Sequence, residues 1–209
     1  MRPAKSCGNA ERLLPNYAQV KSIAAFVAAM HALFAQDLDD AARWREVGAL
    51  LPMLLDDPEL RASAKDWPTT QYGGAATNLL FYEDPERRFV INGLVKEPHA
   101  ATPIHDHAHT WTAYGVIEGS ERVLRYTVAG GDITSDRAVL AADREYVVAP
   151  GYVDVVPPHE PHAEIAGDGR TVAVIVRSER VGGFPQNMYD LATGRIDRRP
   201  GPASVPHPL

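Results

Sequence analysis

From Tyr17 onward, apolar residues recur at steps of three and four: Val20, Ile23, Ala24, Val27, Met30 and Phe34. That period gathers them on one buried stripe of a helix. Asp40 is placed to cap a second helical segment with the stripe Trp44, Val47, Leu50, Leu51 and Leu54, which Pro52 should kink or end. Asp57-Pro58-Glu59 reads as an N-cap followed by proline at the first helical position, so a short third helix is expected to about Lys65. After Trp67 the texture changes to short β-type runs, at 78–82, 89–96, 112–118, 122–128, 144–149, 153–156, 163–165 and 171–177. Glu83-Asp84-Pro85-Glu86, Glu118-Gly119-Ser120, Gly130-Gly131-Asp132 and Gly167-Asp168-Gly169 read as the turns between them. Many short strands without intervening helices predict a sandwich or barrel with helices against its outside. The tail 198–209, with Pro200, Pro202, Pro206 and Pro208, is expected to lie irregularly on the surface.

Composition narrows the function classes. The chain has 209 residues, 45% apolar and 23% charged, within the range of one all-β domain. Twenty-one Lys and Arg against 27 Asp and Glu give a net charge of −6, which argues against a nucleic-acid or anionic-membrane binder. The lone cysteine, Cys7, can form neither an internal disulfide nor a CxxC zinc site. Residues 1–16 lack an apolar signal-peptide core and the longest apolar stretch is too short to span a bilayer, so a cytoplasmic location is expected.

The chemistry is carried by histidine. Six of the eight histidines fall in two windows: His99, His105, His107 and His109, then His159 and His162. On a strand, residues i and i+2 share a face, so His105 and His107 can aim at one metal ion. Asp106 between them faces the other way, as a hydrogen-bond partner or a surface group. His99 and His109 are spare donors.

The spacing around these windows resembles the two motifs of the cupin superfamily. His105 and His107 match the paired ligands, His162 the distal ligand, and Gly119, Gly151 and Pro157 the turn positions. Thr112 stands in the glutamate slot, His159 in the second glycine slot, Ala166 in the asparagine slot, and His99 replaces the glycine ahead of the HxH. A triad without glutamate is characteristic of the thiol dioxygenase branch. The phrase Thr102-Pro103-Ile104-His105-Asp106-His107, with Thr110-Trp111 and Tyr114-Gly115-Val116 behind it, is similar to bacterial cysteine dioxygenase and 3-mercaptopropionate dioxygenase homologues. The resemblance covers about residues 17–185. It implies an all-β double-stranded β-helix (a cupin, or jelly-roll, barrel) at 67–185, with a helical segment 1–66 packed on it and an extension at 186–209. It implies Fe(2+) on His105, His107 and His162, with Zn, Ni or Mn possible in purified protein. The reaction it implies is oxidation of a small thiol by O2 to the sulfinate, in a monomer or homodimer.

The chain also departs from that branch. Ala173, Ile175 and Arg177 occupy the late strand where the branch has Ser-x-His-x-Tyr, and Thr77 replaces an arginine next to Asn78. Arg177, Arg180 and Arg88 are candidate anion clamps, the alternative for each being a solvated surface arginine. Arg177 leads because it shares parity with Ala173 and Ile175. Tyr114 and Trp111 are candidate cavity residues, with ordinary barrel packing as the alternative. His159 is either a pocket acid/base or a turn residue. These departures leave open a metal-dependent reaction on a non-thiol substrate, or a barrel that binds a ligand or a metal without catalysis.

Overall fold

The structure, a computed structural model, describes residues 20–72 and 75–209. Four helices come first: α1 (Lys21–Phe34), α2 (Asp40–Leu50), α3 (Pro52–Leu55) and α4 (Pro58–Ser63), with a 3-10 turn at Ala64–Asp66. Asp57 caps α4 by accepting from the Leu60 amide at 2.7 Å, with Pro58 at its start, as the sequence predicts. At α2 the expected cap is off by one residue. Asp39 accepts from the Ala42 amide at 2.7 Å, and Asp40 becomes the first helical residue, where its charge suits the positive end of the helix. Tyr17 and Cys7 lie outside the described residues. None of the described helices is long and apolar enough to cross a membrane.

The strands are β1 (Gln71–Tyr72), β2 (Ala75–Glu83), β3 (Val90–Lys96), β4 (Ile104–His105), β5 (Thr112–Glu118), β6 (Glu121–Asp132), β7 (Arg137–Val148), β8 (Val153–Val156), β9 (His162–Ala166), β10 (Thr171–Arg177), β11 (Pro185–Tyr189), β12 (Ile196–Pro200) and β13 (Ala203–Pro206). They form two curled sheets, in the orders β1-β2-β3-β10-β5-β8, with β13 added on β2, and β12-β11-β4-β9-β6-β7. This is a double-stranded β-helix with the helices on the outer face of the first sheet.

Strand parity divides the first sheet into two environments. Val172, Val174 and Val176 of β10 and Ala113 and Ile117 of β5 join Ile23, Phe26, Met30, Trp44, Val47, Leu51 and Leu54 in one core between sheet and helices. The opposite parity, Ala173 and Ile175 of β10 with Tyr114 and Val116 of β5, faces the barrel interior. Gly115 allows the close approach: a Cβ there would fall 2.5 Å from a Leu55 methyl. Because both faces are covered, β10 is buried along its whole length and reads as a nearly continuous apolar run ending in Arg177.

Two further expectations, on the path of the chain, fail. Gly130-Gly131-Asp132 is not a turn but the end of β6, which pairs with β7 through a register shift at Val128/Gly130, and the chain reverses only at 133–136. The glycines relax the ladder there instead of reversing it. Nor is the C-terminal tail irregular. β11 and β12 form a hairpin beside β4, and β13 runs parallel to β2, pairing Ala203 with Thr77. Pro200 and Pro206 fall at strand ends, where proline removes no ladder bond that the sheet needs.

Candidate metal centre

His105 and His162 are register partners on β4 and β9, so neighbouring strands place both rings on one side. β4 ends at His105, so the HxH is not one continuous strand. His107 lies just beyond it, yet its ring turns into the same space. Ring centroids are 4.5 Å apart for His105 and His162, 4.7 Å for His107 and His162, and 5.2 Å for His105 and His107. One ligand nitrogen from each ring lies within 4.8 Å of the others.

Each ring is oriented through its far nitrogen. Nδ1 of His105 donates to the Pro103 carbonyl at 3.0 Å, and Nδ1 of His162 to the Glu160 carbonyl at 2.9 Å. Nδ1 of His107 bonds the Thr112 hydroxyl at 3.0 Å. A carbonyl can only accept, so the protons of His105 and His162 are assigned to Nδ1 and their Nε2 atoms carry lone pairs. Nε2 of His162 is buried with no hydrogen-bond partner. A buried acceptor left unpaired is costly, and a cation shared by the three Nε2 atoms would satisfy it. Burial, then the neighbouring His162, pushes His105 down to about 4, and burial with the charge of Arg177 holds His107 well below the usual imidazole value. Both are therefore neutral at pH 7, the form that ligates. The donor set fits a divalent first-row metal without selecting one.

The triad opens into a cavity of about 600 Å³ whose walls include Asn78, Tyr114, Glu164, Arg177 and Gln186. Arg177 is buried, and its Nε and Nη1 have no hydrogen-bond partner. Burial lowers it to about 10, opposed by the charge of Glu164, so the guanidinium remains a cation. The buried side-chain nitrogen of Asn78 and both polar atoms of Gln186 also lack partners. Below them, Lys96 is buried with Nζ 3.0 Å from Glu121 and 3.7 Å from Glu164. Burial opposes its charge, but the two carboxylates outweigh that and hold the ammonium above its ordinary value. The Tyr114 phenol is pushed well up by burial and then by the Glu121 charge, so it stays protonated.

The structure separates the remaining candidates. Arg88 pairs with Glu179 at 2.5 Å and Arg180 with Glu83 at 3.0 Å, both away from the triad. Trp111 stacks on Trp44 at 6.5 Å and belongs to the helix-side core, not the cavity. His159 is not brought to the cavity wall: it occupies a turn at φ 60°, with its ring half exposed. His109 bonds Glu179 at 3.2 Å, and His99 is exposed. Sequence reasoning missed Glu164 and Lys96. The i, i+2 rule that paired His105 with His107 applies equally to His162 and Glu164. Lys96 gave no signal of its own, because it ends an apolar strand like any solvated lysine.

Asp106 is wholly buried and fastens the C-terminal extension to the HxH loop. It accepts from the Tyr189 hydroxyl at 2.8 Å, the Asn187 side-chain amide at 2.9 Å, the Asn187 backbone amide at 3.1 Å and the Ala108 amide at 2.9 Å. Asp106→Ala should lower stability by on the order of 2–4 kcal/mol. Limited proteolysis should then cut within residues 186–209 before the barrel core. Unchanged protease resistance would refute this fastening role.

Fold and site together define the class: a double-stranded β-helix barrel with a three-histidine cluster inside it. No family model matches the chain, and no curated protein matches it. Among solved structures, the Schizosaccharomyces pombe Cnp3 cupin domain is similar at 12% identity and a TM-score of 0.37, covering 49% of this chain and 64% of that one. An oxalate oxidase in complex with the substrate analogue glycolate is similar at 22% identity and 0.40, covering 54% of this chain and 55% of that one. KdgF from Halomonas sp. is similar at 17% and 0.40, covering 55% and 86%.

Proposed function

We propose that this chain is a metal-dependent dioxygenase that oxidises a small carboxylate-bearing thiol to its sulfinate, with iron as the metal. The observation that carries this reading is a partnerless buried guanidinium, Arg177, in the same cavity as three converging imidazoles. Ferrous iron on His105, His107 and His162 would supply the redox chemistry with dioxygen. The protein's part is positioning. Pro103, Thr112 and Glu160 orient the three rings. Arg177 offers two free N–H groups to a carboxylate, the fork geometry that suits it. Ile175, on the same strand face, and Leu94 give the cavity an apolar wall. The reaction balances as R–SH plus O2 giving R–SO2⁻ and a proton, with both oxygen atoms placed on sulfur.

The test is oxygen uptake by anaerobically iron-loaded protein given cysteine, 3-mercaptopropionate, cysteamine or mercaptosuccinate, with sulfinate detected by mass spectrometry. Thiol-dependent uptake with matching sulfinate is the expected result. Loaded protein that consumes no oxygen with any thiol would reject it. The cavity volume favours a second reading, since about 600 Å³ accommodates a ligand well beyond cysteine in size. In that reading the metal and Arg177 serve a larger anionic, non-thiol substrate, or bind one without turnover.

Arg177→Met separates binding from folding. Removing a buried cation with unpaired donors should leave stability unchanged or raise it. The same change should raise KM for a carboxylate-bearing substrate by about 30-fold or more, the equivalent of about 2–5 kcal/mol. Loss of stability with KM unchanged would assign Arg177 to the fold instead.

A further inference from the structure

We infer that Gln186 and Asn78 form a second subsite of the cavity, one that takes a carboxamide, so that the substrate carries an amide as well as a carboxylate. The inference deepens the proposed function and rests on its reading of Arg177 as the carboxylate clamp. Gln186 and Asn78 both line the cavity and are each only 1% exposed. Nδ2 of Asn78 and both Nε2 and Oε1 of Gln186 are buried, and no described residue pairs with them. Packing alone does not leave buried amides unpaired, because each such atom costs free energy. Unpaired polar atoms on the wall of one cavity are instead the arrangement that orients a ligand.

The fold sets this subsite apart from the triad. Gln186 stands on β11 two residues before Met188, the register partner of His105. It therefore shares a strand face with Met188 and lies about 7 Å further along. Arg177 comes from the other sheet, opposite Thr112, whose hydroxyl orients His107. The C-terminal extension builds the amide end. Its link Pro200-Gly201-Pro202 carries the chain from β12 in one sheet to β13 in the other and borders the cavity. Gly201 leaves room for Gln186, since a Cβ there would fall 2.7 Å from its Oε1. β13 then runs beside β2 with Ser204 opposite Asn78.

Donor and acceptor numbers select the group that fits. A second carboxylate only accepts and would leave Oε1 of Gln186 unpaired. An ammonium only donates and would leave both amide nitrogens unpaired. A primary carboxamide donates one N–H to Oε1, while the two lone pairs of its oxygen take Nε2 of Gln186 and Nδ2 of Asn78. Both end atoms of Gln186 are free, so its side of the pairing is the same whichever way its amide is turned.

The probes are the half-amides of succinic, glutaric and adipic acids, each against its own diacid, titrated into the full-length protein as purified. Ligand-observed NMR reads the affinities, and no turnover is needed. At least one half-amide should bind about 30-fold or more tightly than its diacid. Gln186→Leu should abolish that preference while its thermal midpoint stays level or rises, because an unpaired buried amide is replaced by an apolar group of similar size. Gly201→Ala, which crowds the Gln186 amide without removing it, should weaken half-amide binding and spare the diacid; it decides the matter if Gln186→Leu fails to fold. Half-amides that bind no better than diacids would overturn the inference, as would a preference that survives in Gln186→Leu. Thiol oxidation without half-amide preference leaves the dioxygenase and removes the subsite. A Gln186-dependent preference in a protein that oxidises no thiol keeps the subsite and removes the dioxygenase.

Discussion

Replacing His105 or His162 with alanine is expected to abolish stoichiometric metal binding while leaving the fold of the metal-free protein close to wild type. Both rings belong to the barrel interior, but neither joins the apolar core between sheet and helices. What each removal loses is a lone pair at the convergence point. Two imidazoles cannot hold a first-row ion against chelation as three can. His109→Ala is the control, since that ring bonds Glu179 on the exterior and lies against Phe184 at 4.5 Å. Metal content by atomic emission, with circular dichroism and thermal unfolding alongside, reads all three variants. Full occupancy in both His105→Ala and His162→Ala would end the triad assignment. Loss in His109→Ala as well would point to a general loosening of the barrel rather than lost ligands.

The largest loss of stability is expected at Lys96. Its ammonium is buried against Glu121 at 3.0 Å and is also the cationic neighbour of Glu164. Lys96→Met keeps most of the volume but leaves the Glu121 carboxylate buried without its counter-charge. Breaking one side of such a pair costs about 3–5 kcal/mol, whereas removing both sides can be nearly neutral. Chemical denaturation should therefore show Lys96→Met strongly destabilised and Lys96→Met/Glu121→Gln substantially recovered. Equal destabilisation of the single and double variants would mean that packing of the lysine stem, not charge, is what the barrel depends on.

Much of this was legible along the chain because it depends on local periodicity. The steps of three and four in the first third locate α1 and α2. The Asp57-Pro58 cap is read correctly from three residues, and 112–118, 153–156 and 171–177 match β5, β8 and β10. The parity of Arg177 with Ala173 and Ile175 survives folding because a strand has no freedom to alter it. The errors lie where a nonlocal partner decides. β6 runs through its glycines because β7 pairs with it, and the proline-rich tail becomes strand because β2 offers an open edge. Trp111 turns to the helices because Trp44 waits there.

By itself, then, the sequence determined the alternation of faces, a sandwich or barrel of short strands and the pairing of His105 with His107, since these follow from spacing, while the β-helix and His162 as third member were read from the resemblance of the motifs. Tertiary structure alone decided which charged groups are buried and with whom. It left Arg177 partnerless while Arg88 and Arg180 found carboxylates, took His159 out to a turn, and carried Lys96 and Glu164 in beside the rings. The physical reason is that desolvation and counter-charge are properties of a cavity. A cavity is assembled from strands far apart in the chain, so its walls cannot be read from any one of them.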